Sequence, residues 1–111
     1  MSVKLPVLDM RLERIGQMVR KDSVCADIGT DHGYLITYLA VSGKIKKGFA
    51  CDINEKPLAK AQKTIAEYGV GDKVKTILAD GLCGIENECV DDIVIAGMGG
   101  DLVARILGSA Q

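Results

Sequence analysis

Short apolar runs alternate with segments of helical periodicity along the chain, and this alternation restricts the fold more than any other feature. The runs are SVCADIG (residues 23–29), GFACDI (48–53), VKTIL (74–78) and DIVIAG (92–97). They lack the strict apolar–polar alternation of a strand with one face in water. Apolar strands separated by helices are typical of a parallel sheet covered on both faces. The sequence therefore predicts an α/β fold with about four parallel strands and flanking helices.

Apolar residues recur at steps of three and four outside these runs, which is the spacing of one helix face. Gly43 and Gly69 stand where a left-handed residue would end a helix, and Asn54 can cap the third helix, with Pro57 in its first turn. A last helix is predicted to begin after the fourth strand. The four apolar faces are Leu8, Leu12, Ile15 and Val19; Leu35, Ile36, Leu39 and Ala40; Leu58, Ala61, Ile65 and Tyr68; and Leu102, Val103, Ile106 and Leu107.

The fourth strand is expected to lie at an edge of the sheet. In a wound parallel sheet the first strand is central, so a fourth strand added beside it has one bare side. An apolar edge such as IVIAGM (residues 93–98) invites pairing with another chain. We therefore expect self-association through the exposed fourth strand, or a chain that is the front part of a longer protein. Residues 1–111 are predicted to form a single domain, truncated at its C-terminal side.

The charge balance and the apolar pattern exclude several classes of protein. Fourteen basic and fifteen acidic residues leave a net charge of −1, without the basic surplus that grips nucleic acid by bulk electrostatics. No apolar run approaches the roughly 20 residues of a membrane span. The N-terminus lacks the pattern of a signal peptide. The prediction is a soluble, cytoplasmic protein with no membrane partner.

The chain has four cysteines, whose spacing is not that of a disulfide framework: Cys25, Cys51, Cys83 and Cys89. There is no CxxC pair, and a single histidine cannot complete a zinc site from these spacings. Two of the cysteines lie in the apolar runs, where a free thiol packs as a small apolar group. We predict buried thiols and no bound metal.

Carboxylates or glycines follow all four predicted strands. Ligands bind outside the carboxyl ends of parallel strands, so these residues would meet at one edge of the sheet. Asp and Gly are common in turns, but turn preference alone poorly explains their presence at all four ends. The residues concerned are Asp27, Gly29, Thr30, Asp31, His32 and Gly33; Asp52, Ile53 and Asn54; Asp80 and Gly81; and Gly97, Met98, Gly99 and Gly100.

The loop after the first strand discriminates between ligands. A dinucleotide-binding loop has the pattern GxGxxG, so that backbone N–H groups meet a pyrophosphate. This loop is DxGxDxG over residues 27–33, and its two carboxylates would repel a pyrophosphate. They suit S-adenosylmethionine, which carries a sulfonium and an ammonium group. Asp52 follows Gly29 by 23 residues, close to the roughly 20 expected for the acid that binds ribose hydroxyls.

The remaining strand ends fit methyl transfer. Asp80 could accept a hydrogen bond from an exocyclic adenine amine, and the glycines at 97, 99 and 100 would let the backbone pass close to the transferred methyl group. The reaction needs little acid–base chemistry, because holding a nucleophile in line with the sulfonium supplies much of the rate. The pattern favours a methyltransferase.

The segments DIGTDHGYL, CDIN, LADGL and IAGMGG, in this order and spacing, resemble the TrmK family of bacterial tRNA (adenine-22-N1) methyltransferases. The stretch MRLERI (residues 10–15) is similar to the opening helix of that family. The resemblance extends over essentially the whole chain. It implies a class I Rossmann-like domain that uses S-adenosylmethionine to methylate N1 of an adenine in tRNA.

The resemblance also implies roles for individual residues. The loop from Asp27 to Gly33 would surround the methionine part of the cofactor, Asp52 and Ile53 the ribose, and Asp80 and Gly81 the adenine. The methyl and target-base site would be lined by Gly97, Met98 and Gly99. The candidate cofactor-binding set also includes Arg11, Thr30, Tyr34 and Asn54, and the candidate catalytic residues are Asp31, His32 and Met98.

Several of these residues have an alternative interpretation. His32 could orient the substrate base or accept a proton, or it could cap and pack the start of a helix. Asp31 could bind the cofactor's ammonium group or simply favour a first helical turn. Arg11 could reach the cofactor carboxylate or lie on a solvated face. Tyr34 and Tyr38, four residues apart, are interpreted as packing at the edge of the core rather than as a platform for a base.

The sequence departs from the family pattern in two ways, and three hypotheses about its function remain. Ile36 stands where the family usually has proline, and family members continue for about as long again, through a helical C-terminal region implicated in tRNA binding. The chain is then a tRNA methyltransferase, or a cofactor-binding fragment without independent activity. An NAD-dependent oxidoreductase on a similar fold is the third hypothesis, which the absent GxGxxG pattern disfavours. Methylation of tRNA by the chain separates the first two, and binding of NAD but not S-adenosylmethionine would support the third.

Overall fold

A computed structural model of the chain describes residues 5–30, 32–78 and 90–95, and the backbone of 102–105. The described elements are three helices and five strands. In chain order they are α1 (Met10–Met18), β1 (Ser23–Ile28), α2 (Tyr34–Val41), β2 (Ile45–Asp52), α3 (Glu55–Glu67), β3 (Val74–Leu78), β4 (Asp92–Ile95) and β5 (Leu102–Arg105).

The strands form one sheet in the order β3-β2-β1-β4-β5. β1 pairs in parallel with β2 on one side and with β4 on the other, and β2 pairs in parallel with β3. The predicted α/β fold with four parallel strands is therefore confirmed. Because β1 is central, the loop that follows it lies at the point where the strand order reverses, which is where parallel sheets bind ligands.

Side chains of each parallel strand alternate between two buried layers, as the pleat requires. Cys25, Ala50 and Val94 face the layer formed by α1, α2 and α3, whose buried side chains include Ile15, Leu35, Ile36, Leu39 and Ile65. Ala26, Phe49, Cys51 and Ile93 face the opposite layer with Val90. Among the described residues, the helices lie on one face of the sheet only.

The helix ends follow the local signals in the sequence. Asp9 caps α1, since its side chain accepts a hydrogen bond from the N–H of Leu12 at 2.8 Å. Gly43 and Gly69 have φ of +78° and +71° just beyond α2 and α3, as predicted. Asn54 holds the N-cap position of α3, although its side chain makes no capping hydrogen bond.

The predicted helix after the fourth strand is wrong in its described part. Residues Leu102–Arg105 form β5, which pairs antiparallel with β4 and places Leu102 opposite Ile95. Extended pairing with β4 outweighs a helical spacing that rests on four apolar residues. The expectation of a bare fourth strand is wrong for the same reason, because β4 is paired on both sides and β5 is the end strand.

No helix in the described ranges has the length and apolar character that crossing a bilayer requires.

Candidate functional site at the carboxyl edge of the sheet

The loop after β1 is tied to the neighbouring strand through the main chain. The N–H groups of Gly29 and Thr30 both donate to the carbonyl oxygen of Cys51 in β2, at 2.8 and 3.0 Å. Gly29 adopts φ +73°, a left-handed conformation that favours glycine, and a Cβ built there would meet no atom of the described residues within 4 Å. The loop is therefore held in place, and no described residue fills the space in front of Gly29.

Asp27 shapes this loop from inside the sheet. Its side chain is only 4% exposed and accepts a hydrogen bond from the Thr30 hydroxyl at 3.1 Å. A buried carboxylate needs such partners to offset the loss of water. Asp27 and Thr30, both predicted site residues, are thus brought together at the loop.

Gly33 joins the loop to the first turn of α2. It has φ +73°, and a Cβ at this position would lie 2.9 Å from the Cβ of Ala61 in α3. A separation this short leaves no room for any side chain. Gly33 therefore permits α2 and α3 to pack closely where α2 begins at Tyr34.

The end of β2 presents Asp52 beside this loop. The Asp52 side chain is half-buried, and its Oδ1 accepts a hydrogen bond from the N–H of Asn54 at 2.9 Å. This contact sets the orientation of the carboxylate before any ligand arrives. Ile53 is 61% exposed at the same edge. Asp52, Ile53 and Asn54 are thus found together, one strand away from the Gly29 loop.

His32 and Tyr34 form an aromatic pair at the start of α2. Their ring centroids are 5.2 Å apart and the ring planes differ by 3°. These values lie in the range of offset stacking. Tyr34 is 43% exposed, so it is not a residue of the core edge.

The other predicted site residues are distributed as follows. Arg11 lies in the first turn of α1 with an exposed side chain. Asp31, Asp80, Gly81, Gly97, Met98 and Gly99 lie outside the described residues, and their roles stay predictions.

A second polar cluster lies at the opposite, amino edge of the sheet and was not predicted. Asp92, completely buried at the start of β4, accepts hydrogen bonds from the backbone N–H and the Nε of Arg20, at 2.7 and 2.9 Å. The pKa of Arg20 is raised, first by its side-chain hydrogen bond to Asp92. Asp91 accepts a hydrogen bond from the N–H of Val24. In the sequence this cluster is signalled only by the adjacent acids Asp91 and Asp92 at the start of the fourth strand, because Arg20 lies 72 residues before Asp92.

The two described cysteines are free and buried. Burial raises the pKa of Cys51 to about 12 and also raises the pKa of Cys25. Both are therefore neutral thiols near neutral pH and poor nucleophiles. The prediction of buried free thiols is confirmed for this pair.

A family model described as a methyltransferase domain matches residues 8–111. The chain belongs to this family. The loop after β1 and the end of β2 are therefore the carboxyl-edge elements of a methyltransferase domain.

Individual relatives show which methyltransferases this domain is similar to. It is 35% identical over 104 residues to the tRNA (adenine(22)-N(1))-methyltransferase of Bacillus subtilis, covering 94% of the chain and 44% of the relative. The structure of the B. subtilis m1A22 tRNA methyltransferase TrmK matches with a TM-score of 0.80 and 31% identity, over 84% of this chain and 40% of that one.

The structure of M. capricolum TrmK was solved in complex with S-adenosyl-homocysteine, the product of its natural cofactor. It matches with a TM-score of 0.77 and 39% identity, over 81% of this chain and 41% of that one. The resemblance to the TrmK family is confirmed. The chain spans less than half the length of the relative or structure in each of these matches.

Proposed function

We propose that this methyltransferase domain binds S-adenosylmethionine at the carboxyl edge of its sheet and serves methyl transfer to N1 of an adenine in tRNA. The observation that carries the proposal is the Gly29 loop, anchored on the Cys51 carbonyl with Asp52 one strand away. The relatives with a tRNA (adenine-22-N1) methyltransferase activity in their names support the choice of substrate.

The loop fits this cofactor better than a dinucleotide. The N–H groups of Gly29 and Thr30 are engaged by the Cys51 carbonyl and do not point at an incoming anion. A pyrophosphate would lose the N–H donors on which dinucleotide-binding loops depend. No described residue fills the space at Gly29, so an uncharged part of a ligand can lie against this glycine without needing N–H donors. These features disfavour an NAD-dependent oxidoreductase.

Asp52 is the proposed ribose-binding residue. Its carboxylate stands at the end of β2, and Oδ1 is oriented by the N–H of Asn54. Since Oδ2 accepts no hydrogen bond from the residues that the structure describes, it is the proposed acceptor for hydroxyl donors. An acid at the end of the second strand is the usual ribose acceptor in folds of this kind. We extend the proposal to the predicted cofactor contacts of Asp31, Asp80, Gly81, Gly97, Met98 and Gly99.

The methyl transfer depends on the alignment of the base with the methyl group more than on proton transfer. When bound, S-adenosylmethionine supplies an electrophilic methyl group on a sulfonium. The lone pair of adenine N1 forms the new N–C bond as the C–S bond breaks, so the positive charge passes from sulfur to the base. No proton has to leave N1 before attack. The chain therefore has to hold the base in line and exclude water.

The cofactor proposal is tested by calorimetric titration of the chain with S-adenosyl-homocysteine. We expect Asp52→Ala to weaken binding about tenfold or more, because hydrogen bonds to a charged group contribute roughly 1.5–3 kcal/mol. Asp72→Ala is the matched control, since Asp72 is exposed in the turn between α3 and β3. Failure of the folded wild-type chain to bind contradicts the proposal, as does equal binding by Asp52→Ala.

We propose that binding the phosphate backbone of a whole tRNA belongs to the longer relatives, and that this chain alone binds whole tRNA weakly. A net charge of −1 offers little neutralisation of RNA phosphates. We expect the purified chain to methylate tRNA poorly or not at all, and substantial methylation would contradict this. A cytoplasmic location follows as part of the same proposal. Self-association stays a prediction, and it would now involve β5 rather than β4.

A further inference from the structure

The proposed function gives no role to the stacked rings of His32 and Tyr34, although the sequence placed both residues among the candidate cofactor contacts. The two rings are parallel to within 3° at a centroid distance of 5.2 Å, and Tyr34 is 43% exposed. His32 is the less exposed of the two, so it supports Tyr34, whose ring presents the larger open surface. Flat aromatic surface of this kind is what stacks nucleic-acid bases, because every base has a π-face.

The pair is mounted on a rigid part of the fold. Gly33, which separates the two residues, is packed against Ala61 with no space for a side chain. Leu35 and Ile36, which follow Tyr34, are buried at 3% and 0% exposure. The first turn of α2 therefore cannot shift easily, and the aromatic surface is available without prior reorganisation. A preformed surface binds more tightly than one that must be ordered first.

We propose that Tyr34, supported by His32, is the surface on which the purine base to be methylated stacks. The assignment rests on the proposed function, because it places a target base at the cofactor edge. An N1 atom inside a duplex is not accessible, so the base has to be unpaired or turned out of its stack. Aromatic side chains hold such bases by stacking.

The position of Tyr34 favours the target base over the adenine of the cofactor. Tyr34 follows β1, whereas the cofactor adenine is proposed to lie beyond Asp52, toward the end of β3. β2 separates β1 from β3 in the sheet. Two strand spacings amount to about 10 Å, so a base near the end of β1 and a cofactor adenine near the end of β3 occupy different positions along the edge. Tyr34 is thus assigned to the substrate, whereas the sequence predicted a cofactor contact.

The test uses the chain saturated with S-adenosyl-homocysteine and a short single-stranded RNA that contains 2-aminopurine. Stacking on an aromatic ring quenches the fluorescence of this purine. We expect Tyr34→Ala to weaken RNA binding about 5- to 150-fold, the range for loss of one base–aromatic stack. Tyr34→Phe keeps the ring and should bind within about twofold of wild type.

Tyr68→Ala is the control, because Tyr68 is a half-buried tyrosine at the C-cap of α3, whereas Tyr34 lies at the start of α2. It should leave RNA binding unchanged, with thermal melting recorded for every variant. The assignment is overturned if the wild type causes no quenching or if Tyr34→Ala binds RNA as tightly as the wild type does. It is also overturned if Tyr34→Ala weakens the binding of S-adenosyl-homocysteine and leaves RNA binding unchanged. Absent binding of S-adenosyl-homocysteine by wild type contradicts the proposed function, whereas Tyr34-dependent quenching would still support the stacking surface.

Discussion

At the scale of single residues, Gly29 and Gly43 have nearly the same backbone but different surroundings. Their φ values are +73° and +78°, and a Cβ at either position meets no atom within 4 Å in the part of the chain that the structure describes. Gly43 ends α2 at the amino edge, whereas Gly29 opens onto the proposed cofactor site. The same substitution therefore imposes similar strain at both positions and differs only in what the added methyl group would obstruct.

We predict that Gly29→Ala and Gly43→Ala each lower the free energy of unfolding by about 1–2 kcal/mol, the strain of a left-handed alanine. Gly29→Ala should also lower affinity for S-adenosyl-homocysteine about tenfold, since overpacking by one methyl group costs about 1–3 kcal/mol. Urea unfolding and calorimetry provide the two measurements. Equal affinity of both variants would show that the space at Gly29 is not used by the cofactor.

At the scale of elements, the cluster of Arg20, Asp91 and Asp92 joins the segment before β1 to the start of β4. Asp92 is completely buried and accepts the backbone N–H of Arg20 at 2.7 Å, while Asp91 accepts the N–H of Val24 at 2.8 Å. Arg20 also donates to the carbonyl of Asp91. These contacts hold the amino ends of the two strands in register and so place their carboxyl ends.

We predict that Asp92→Ala lowers the free energy of unfolding by about 1–3 kcal/mol, because it leaves the part-buried N–H of Arg20 without its acceptor. Asp72→Ala, an exposed acid in a turn, should change stability by less than about 0.5 kcal/mol. Urea unfolding followed by circular dichroism measures both. A loss at Asp92 no larger than that at Asp72 would mean that the cluster does not hold the strands.

The elements also show how far the sequence can predict the fold. β1 to β4 were predictable because each contains a short, mainly apolar run with turn residues after it, and Asp52 could be placed because it lies near the end of such a run. β5 was not, because the helical spacing of Leu102 and Val103 with Ile106 and Leu107 is equally compatible with a short strand beside β4. The Cys51 carbonyl and the Arg20–Asp92 contact could not be predicted, since one is a main-chain group and the other joins distant residues.

At the scale of the whole molecule, the two described cysteines report on the two faces of the sheet. Cys25 packs in the layer of the three helices, and Cys51 packs in the opposite layer. Burial raises the pKa of both thiols, that of Cys51 from 9.0 to about 12. Because the folded pKa is the higher one, the thiols favour the folded state below pH 9 and this contribution is lost as the pH rises toward 12.

We predict that disulfide reagents label Cys51 at pH 8 about a thousandfold more slowly in the folded chain than in urea. The reason is that the pKa of the Cys51 thiol rises from 9.0 in the unfolded chain to about 12 in the folded one, and only the thiolate reacts. Cys25 should be protected as well, and peptide mapping identifies each site. If the molecule unfolds as one unit, both become reactive at the same urea concentration. Labelling of one before the other would show that the two faces open separately.

The central position of β1 has a consequence for how the chain is made. One of its two neighbours, β4, begins 64 residues after the end of β1, at Asp92. A chain leaves the ribosome from its N-terminus, at about 5–20 residues per second. During synthesis β1 can dock with β2 early, but its other edge stays unpaired until residues 92–95 emerge. In this interval, the nascent chain presents an open strand edge to other polypeptides and to chaperones, although the finished sheet buries it.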